Sequence, residues 1–182
     1  MNPNQLNPDA RANGPAGPCL ILNVAKIMPT PREVLSKHEQ HYRDSCAASG
    51  MEMVLKLHGL ESVTFRGFQD RYGDRNIGFE KLADLLPYEV EAKDHEPTVG
   101  DGFKKIEEEA RAGRFPLVSL PGAAKWHIWV AVIEAGSLRF LSRDYQIPTI
   151  LEMTDSPGLQ HTVATYRQGK VHFATYEIKK KA

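Results

Sequence analysis

The residues best suited to do chemistry in this sequence begin in the stretch Gln40–Gly59, QHYRDSCAASGMEMVLKLHG. Cys46 stands six residues after Gln40, at the mouth of a helical pattern. A thiolate, not a thiol, is the nucleophile, and a helix N-terminus favours it through free N–H groups and partial positive charge. Asp44 and Ser45 are natural N-cap residues, which puts Cys46 in the first turn. A nucleophilic thiol then needs a base. Among seven histidines, His127 opens HIWVAVIE, a run apolar on both faces and therefore an inner strand, with the histidine at the rim of the core. A two-residue hairpin about Ala135–Gly136 pairs Glu134 with Ser137, Ile133 with Leu138 and His127 with Asp144. Directly opposed side chains have Cβ atoms about 5 Å apart, within reach for a carboxylate to orient an imidazole. A three-residue loop would put Arg143 there instead. Acyl transfer also needs oxyanion donors, and the Gln40 amide with the Cys46 N–H would supply two. The set is Gln40, Cys46, His127 and Asp144 as oxyanion donor, nucleophile, base and orienter.

The elements that must hold these groups follow a helices-then-strands order. The pattern predicts a strand over 19–27, a helix opened by proline over 31–39, and a largely buried helix over 44–57 ended by Gly59. Ser49, Glu52 and Lys56 form the single polar stripe of that helix. FRGFQDRYG and FEKLADLLPY read as helical, and 98–114 as a charged surface helix ending at Gly113. Strands are expected over 115–120, 127–134, 137–145 and 147–153. HTVATYR and KVHFATYEI around Gln168–Gly169 suggest a final hairpin. The class is α+β, a central N-terminal helix packed on an antiparallel β-sheet. Residues 1–18, rich in Asn, Pro, Gly and Ala, read as a flexible tail before one catalytic domain over 19–182.

Composition narrows the partners. The 182 residues carry 23 Lys plus Arg against 23 Asp plus Glu, so no net field points to nucleic acid or a membrane surface. No apolar run approaches the roughly 20 residues of a membrane span, and the start lacks a standard secretory signal. The expected location is cytoplasmic, or outside the cell by a route without such a signal. The two cysteines, Cys19 and Cys46, suggest neither a disulfide framework nor zinc, and no cofactor is expected. His38, His41 and Cys46 could be metal ligands, but a fourth ligand is not evident. Cys19 belongs to the first strand. Trp126, beside His127, could shield the imidazole from water.

The order Gln, Cys at a helix start, His on a strand and Asp on the next strand resembles the papain-like cysteine peptidases. The nearest likeness is to the bacterial double-glycine-leader (bacteriocin-processing) peptidases. It rests on QHYRDSCAASGMEMVLKLHG, IGFEKLADLL, ARAGRFPLVSL, HIWVAVIE and LSRDY, across residues 38 to 150. The resemblance implies a papain-like fold, a peptide or protein substrate, and Gln40, Cys46, His127 and Asp144 at the family's catalytic positions. The chain departs at Ala47, where the family has Gly after the cysteine, and at Tyr145, where it commonly has Pro after the Asp. Both bear on double-glycine specificity, not on a catalytic group. Three functions stay open: a cysteine peptidase, a protein-glutamine deamidase or acyltransferase of the bacterial effector kind on the same scaffold, and an inactive peptide-binding module.

Overall fold

The computed structural model describes residues 30–60, 69–70, 89–123, 125–145 and 147–179. Four helices and six strands alternate along them: α1 (Pro31–Ser36), α2 (Cys46–Leu57), β1 (Glu89–His95), α3 (Val99–Arg111), β2 (Leu117–Pro121), β3 (Trp126–Glu134), β4 (Ser137–Ser142), β5 (Leu151–Thr154), α4 (Pro157–Tyr166) and β6 (Phe173–Lys179). The strands form one sheet in the order β1-β6-β2-β3-β4-β5, antiparallel at every pairing. The class is α+β.

Strand β3 is central because both its faces are apolar. Val130 and Val132 pack with Leu35, Met51, Val54 and Leu55 of the first two helices. Trp129 and Ala131 face the other way, with Phe103 and Ile106 of α3 and Val163 of α4. Each such side chain taken from water stabilises the fold by about 1.5–3 kcal/mol, so a sheet covered on both faces holds β3 firmly. The β3–β4 register pairs Glu134 with Ser137 and Ile133 with Leu138, as the two-residue turn requires. Ala135 and Gly136 have φ of 48° and 79°, the left-handed pair that matches strand twist.

Other expectations change. The segment 161–167 lies in and just beyond α4, so no final hairpin forms. Ser156 caps α4 by accepting from Leu159 N–H, with Pro157 at its start, and those signals outweigh the β-branched residues within it. Gln168 and Gly169, at φ of 54° and 78°, stop a helix there; Gly169 N–H donates to Ala164 O at 2.8 Å. EVEAKDH, mostly charged, carries no strand pattern, yet it forms β1, which among the described strands pairs only with β6. Helix α1 stops at Ser36, β4 at Ser142, and β5 spans only Leu151–Thr154. The strand over 19–27 with Cys19, the tail, FEKLADLLPY and most of FRGFQDRYG lie outside the described residues.

The polar stripe of α2 is internal. Ser49 and Glu52 are 1% and 0% exposed. Ser49 Oγ lies 2.8 Å from His38 Nε2, and Glu52 accepts from Gln69 Nε2 at 2.9 Å. A polar group can be buried there because each has a partner.

Candidate functional site

Cys46 is the first residue of α2, as expected. Ser45 occupies the N-cap but makes no side-chain cap bond; its Oγ lies 2.9 Å from Tyr42 O and 3.0 Å from Gln69 Oε1. The helix start therefore keeps N–H groups for another acceptor. Backbone hydrogen bonds from Ile128, Ala47 and Cys46 itself favour the thiolate. Burial is the larger influence and pushes the thiol up, with the Asp144 charge adding to it. The expectation of a depressed thiol pKa is thus reversed: the half-buried sulfur loses more from desolvation than the helix terminus returns.

The close seat of α2 depends on Gly50. A Cβ there would lie 3.0 Å from both Ile128 Cγ2 and Leu117 Cδ2, tighter than an ordinary carbon contact. Cys46 is one turn earlier, and the backbone of Ile128, the residue after His127, is among the groups that favour its thiolate.

His127 begins β3 one residue in, opposite Leu120 of β2. It shares a face with Trp129, whose ring meets it edge-on at 5.9 Å. Trp129 is thus its aromatic neighbour, while Trp126 lies under the Arg167 guanidinium at 4.2 Å. α2 packs on the opposite face, so Cys46 and His127 approach the N-terminal end of β3 from two sides. Among the described residues no hydrogen bond joins them.

The imidazole has a defined tautomer. Its Nε2 lies 2.8 Å from Ser142 Oγ and 3.3 Å from Arg143 O. A carbonyl can only accept, so Nε2 carries the hydrogen. Ser142 Oγ donates to Ile128 O at 2.8 Å and so accepts from His127. Nδ1 is left with its lone pair and, among the described residues, without a hydrogen-bond partner. Burial lowers the His127 pKa most, Asp144 and the Arg143 carbonyl raise it, and Lys125 lowers it further. Burial thus opposes charge on both groups.

Two expected roles change. Asp144 makes no hydrogen bond to His127; it accepts from Tyr145 N–H at 2.7 Å. It acts on the site as a charge felt by both Cys46 and His127, while Ser142 and Arg143 hold the ring. Gln40 donates from Nε2 to Tyr42 O at 2.8 Å and Arg43 O at 3.2 Å. Both amide hydrogens are used, so Gln40 braces the loop into Cys46 and presents no free donor to an oxyanion. Sequence reasoning missed Ser142, although it is the diagonal neighbour of His127 in the hairpin register.

A cavity of about 340 Å3 beside His127 is lined by Arg43, Gly122, Lys125, Asp144 and Tyr145 among others. Gly122 is needed there: a Cβ would lie 2.7 Å from Lys125 O and 3.1 Å from His127 Cβ. Lys125 pairs with Asp44, tying this turn to the loop before Cys46. Among the described residues no group of three or more His, Cys, Asp or Glu could hold a metal; His38 bonds Ser49 instead. No described helix is long and apolar enough to cross a membrane. No protein-family model matches the chain, and no curated protein or solved structure does.

Proposed function

We propose that this protein is a cysteine hydrolase of papain-like architecture that cleaves a peptide amide bond. The observation that carries the reading is Cys46 at the first position of α2, which packs on β3, together with His127 near the start of β3, whose Nε2–H is held by two oxygens so that Nδ1 is left as the base. In the reaction Cys46 Sγ attacks the carbonyl carbon and its proton passes to His127 Nδ1. N–H groups at the uncapped start of α2 receive the oxyanion. Collapse of the adduct breaks the C–N bond, and His127 returns the proton to the leaving amine. Water then attacks the thioester, with Nδ1 again taking a proton, and free Cys46 and the acid result. Asp144 favours the imidazolium that forms in between, since its charge raises the His127 pKa.

The test is digestion of a mixed peptide library by the wild-type protein and by Cys46→Ala, His127→Ala and Ser142→Ala, followed by mass spectrometry. Cleavage that disappears with Cys46 and with His127 supports the reading. Cleavage unaffected by Cys46→Ala overturns it. An intact target gaining mass in a Cys46-dependent way would move the reading to deamidation or acyl transfer at the same thioester.

A further inference from the structure

Gln69 joins the loop that leads into Cys46 to the helix that follows it. The side chain is wholly buried, and every hydrogen-bonding position of its amide has a partner. Its Oε1 accepts from His41 N–H at 2.7 Å and lies 3.0 Å from the Ser45 hydroxyl. Its Nε2 donates to Glu39 O and to Glu52 Oε2, both at 2.9 Å. Exchanging the amide atoms would set nitrogen against the His41 N–H and oxygen against two acceptors, so the neighbours fix the assignment.

Helix α2 depends on such a tie. Ser45, at its N-cap, has φ of −87° and ψ of 20° and makes no side-chain cap bond, unlike the extended backbone and capping hydroxyl of an ordinary N-cap. Its N–H and its hydroxyl turn back instead to Tyr42 O, at 3.2 and 2.9 Å. The first turn of α2, with Cys46 at its head, is therefore held by the seat of that tight turn and not by a cap. Gln69 supplies the seat through Glu39, His41 and Ser45, and its neighbour Asp70 adds a bond from the Tyr42 hydroxyl at 3.0 Å.

The other end of the tie is Glu52, on α2 itself. Both of its carboxylate oxygens accept from Gln69, Oε2 from the amide and Oε1 from the backbone N–H at 3.3 Å. Glu52 is 0% exposed, and a carboxylate so placed is costly unless it is well bonded. An apolar side chain there would pack as well but could not anchor Gln69.

We propose that Gln69 is a positioning residue for the nucleophile: by tying the Glu39–Ser45 loop to Glu52 it fixes the first turn of α2, and with it the place of the Cys46 sulfur and of the N–H groups beside it. The part those N–H groups play in amide cleavage rests on the hydrolase reading above; the hold on the thiol does not. Gln69 acts through the loop, not on the substrate. Burial is the main influence that pushes the Cys46 thiol up. A first turn released from its seat admits water to the sulfur and brings the thiol back toward its ordinary range.

The test uses the full chain carrying Gln69→Leu, which keeps bulk and removes the amide. Native protein, its folding checked by urea titration, is alkylated between about pH 6 and 10, and labelling at Cys46 is quantified by peptide mass spectrometry. The midpoint of the labelling profile is expected to fall toward about 8.5. Turnover of a peptide cleaved in the library digest is expected to drop roughly tenfold, with KM little changed. The double variant Gln69→Glu with Glu52→Gln reverses the pair, keeps an acceptor for His41 N–H and Ser45, and gives up only the bond to Glu39 O. It should recover part of both effects. If Gln69→Leu does not fold, Gln69→Asn, one methylene too short to span loop and helix, takes its place and should move the midpoint the same way. A lowered urea midpoint with the wild-type labelling profile overturns the positioning role. Wild-type labelling and wild-type turnover in the variant overturn it while the hydrolase reading stands. A shifted labelling profile, with no peptide cleaved by the wild-type protein, supports the hold on the thiol while the hydrolase reading falls.

Discussion

Replacing Gly50 by alanine would test whether the seat of α2 sets the reactivity of Cys46. The new methyl would lie 3.0 Å from Ile128 Cγ2 and 3.0 Å from Leu117 Cδ2, where carbon atoms rest at about 3.5–4.0 Å. The helix or the two side chains must therefore give by a few tenths of an ångström. Two energies oppose each other. Alanine gains roughly 1 kcal/mol over glycine in a helix interior, and overpacking costs about 1–3 kcal/mol. Leu117 is wholly buried, so the second dominates and a net loss of about 1 kcal/mol is expected. Reactivity should fall as well, by less than the roughly 100-fold that a misplacement of about 1 Å can cost, since Cys46 lies one turn away. Urea denaturation gives the first quantity. Alkylation of Cys46, quantified apart from Cys19 by peptide mass spectrometry, gives the second. Gly50→Ala combined with Leu117→Val, which removes the colliding Cδ2, should recover part of both. A Gly50→Ala protein that is more stable and labels at the wild-type rate would refute the reasoning.

Three further outcomes are expected. Ser142→Ala removes the nearer acceptor of His127 Nε2–H; about 1 kcal/mol of stability should go with it, and ring nitrogen NMR should show a mixed tautomer in place of a single one. Asp144→Asn removes a charge that raises the Cys46 pKa, so alkylation at fixed pH 8 should speed up; slower labelling with an unchanged pH profile would mean Asp144 works by orienting His127. His38 is wholly buried and held down at about 3 from 6.5 by desolvation first, then by Lys56, Arg143 and His41. The unfolded chain thus takes the proton first, so stability is complete above about pH 6.5 and is lost as the pH falls toward 3, by about 2 kcal/mol at pH 5. His38→Gln should flatten that slope in urea titrations. Stability that falls instead as the pH rises through 7 would show Glu52, 3.6 Å from His38 Nε2, keeping the ring charged.

Much of the architecture could be read from local signals. The start of α2 at Cys46 and the β3–β4 register follow from one helix signature and one Ala-Gly turn, both short-range. The reading failed where a local pattern had two meanings. Thr162, Val163 and Thr165 favour a strand by type, yet Ser156 and Pro157 start a helix through them. In the site, residue types and order were legible, but hydrogen-bond partners were not. Whether Asp144 or Ser142 holds His127 depends on where β4 ends, and whether the Gln40 amide points to an oxyanion or to its own loop depends on two main-chain carbonyls. The direction of the Cys46 pKa was misjudged because the helix terminus is visible in sequence and the depth of burial is not.

The sheet order has a consequence for biosynthesis. Strand β6, the last of the described strands to leave the ribosome, is laid between β1 and β2. Until residues 173–179 emerge, β1 has no partner among the described strands, and Ala174 and Tyr176 are missing from the core beneath α2. A nascent chain that already carries Cys46 and His127 therefore has only β2, β3, β4 and β5 in register, with β1 still apart. Contacts this far apart in sequence also form slowly. Assembly of the sheet is thereby timed: translation must pass β6 before β1 can be joined to β2.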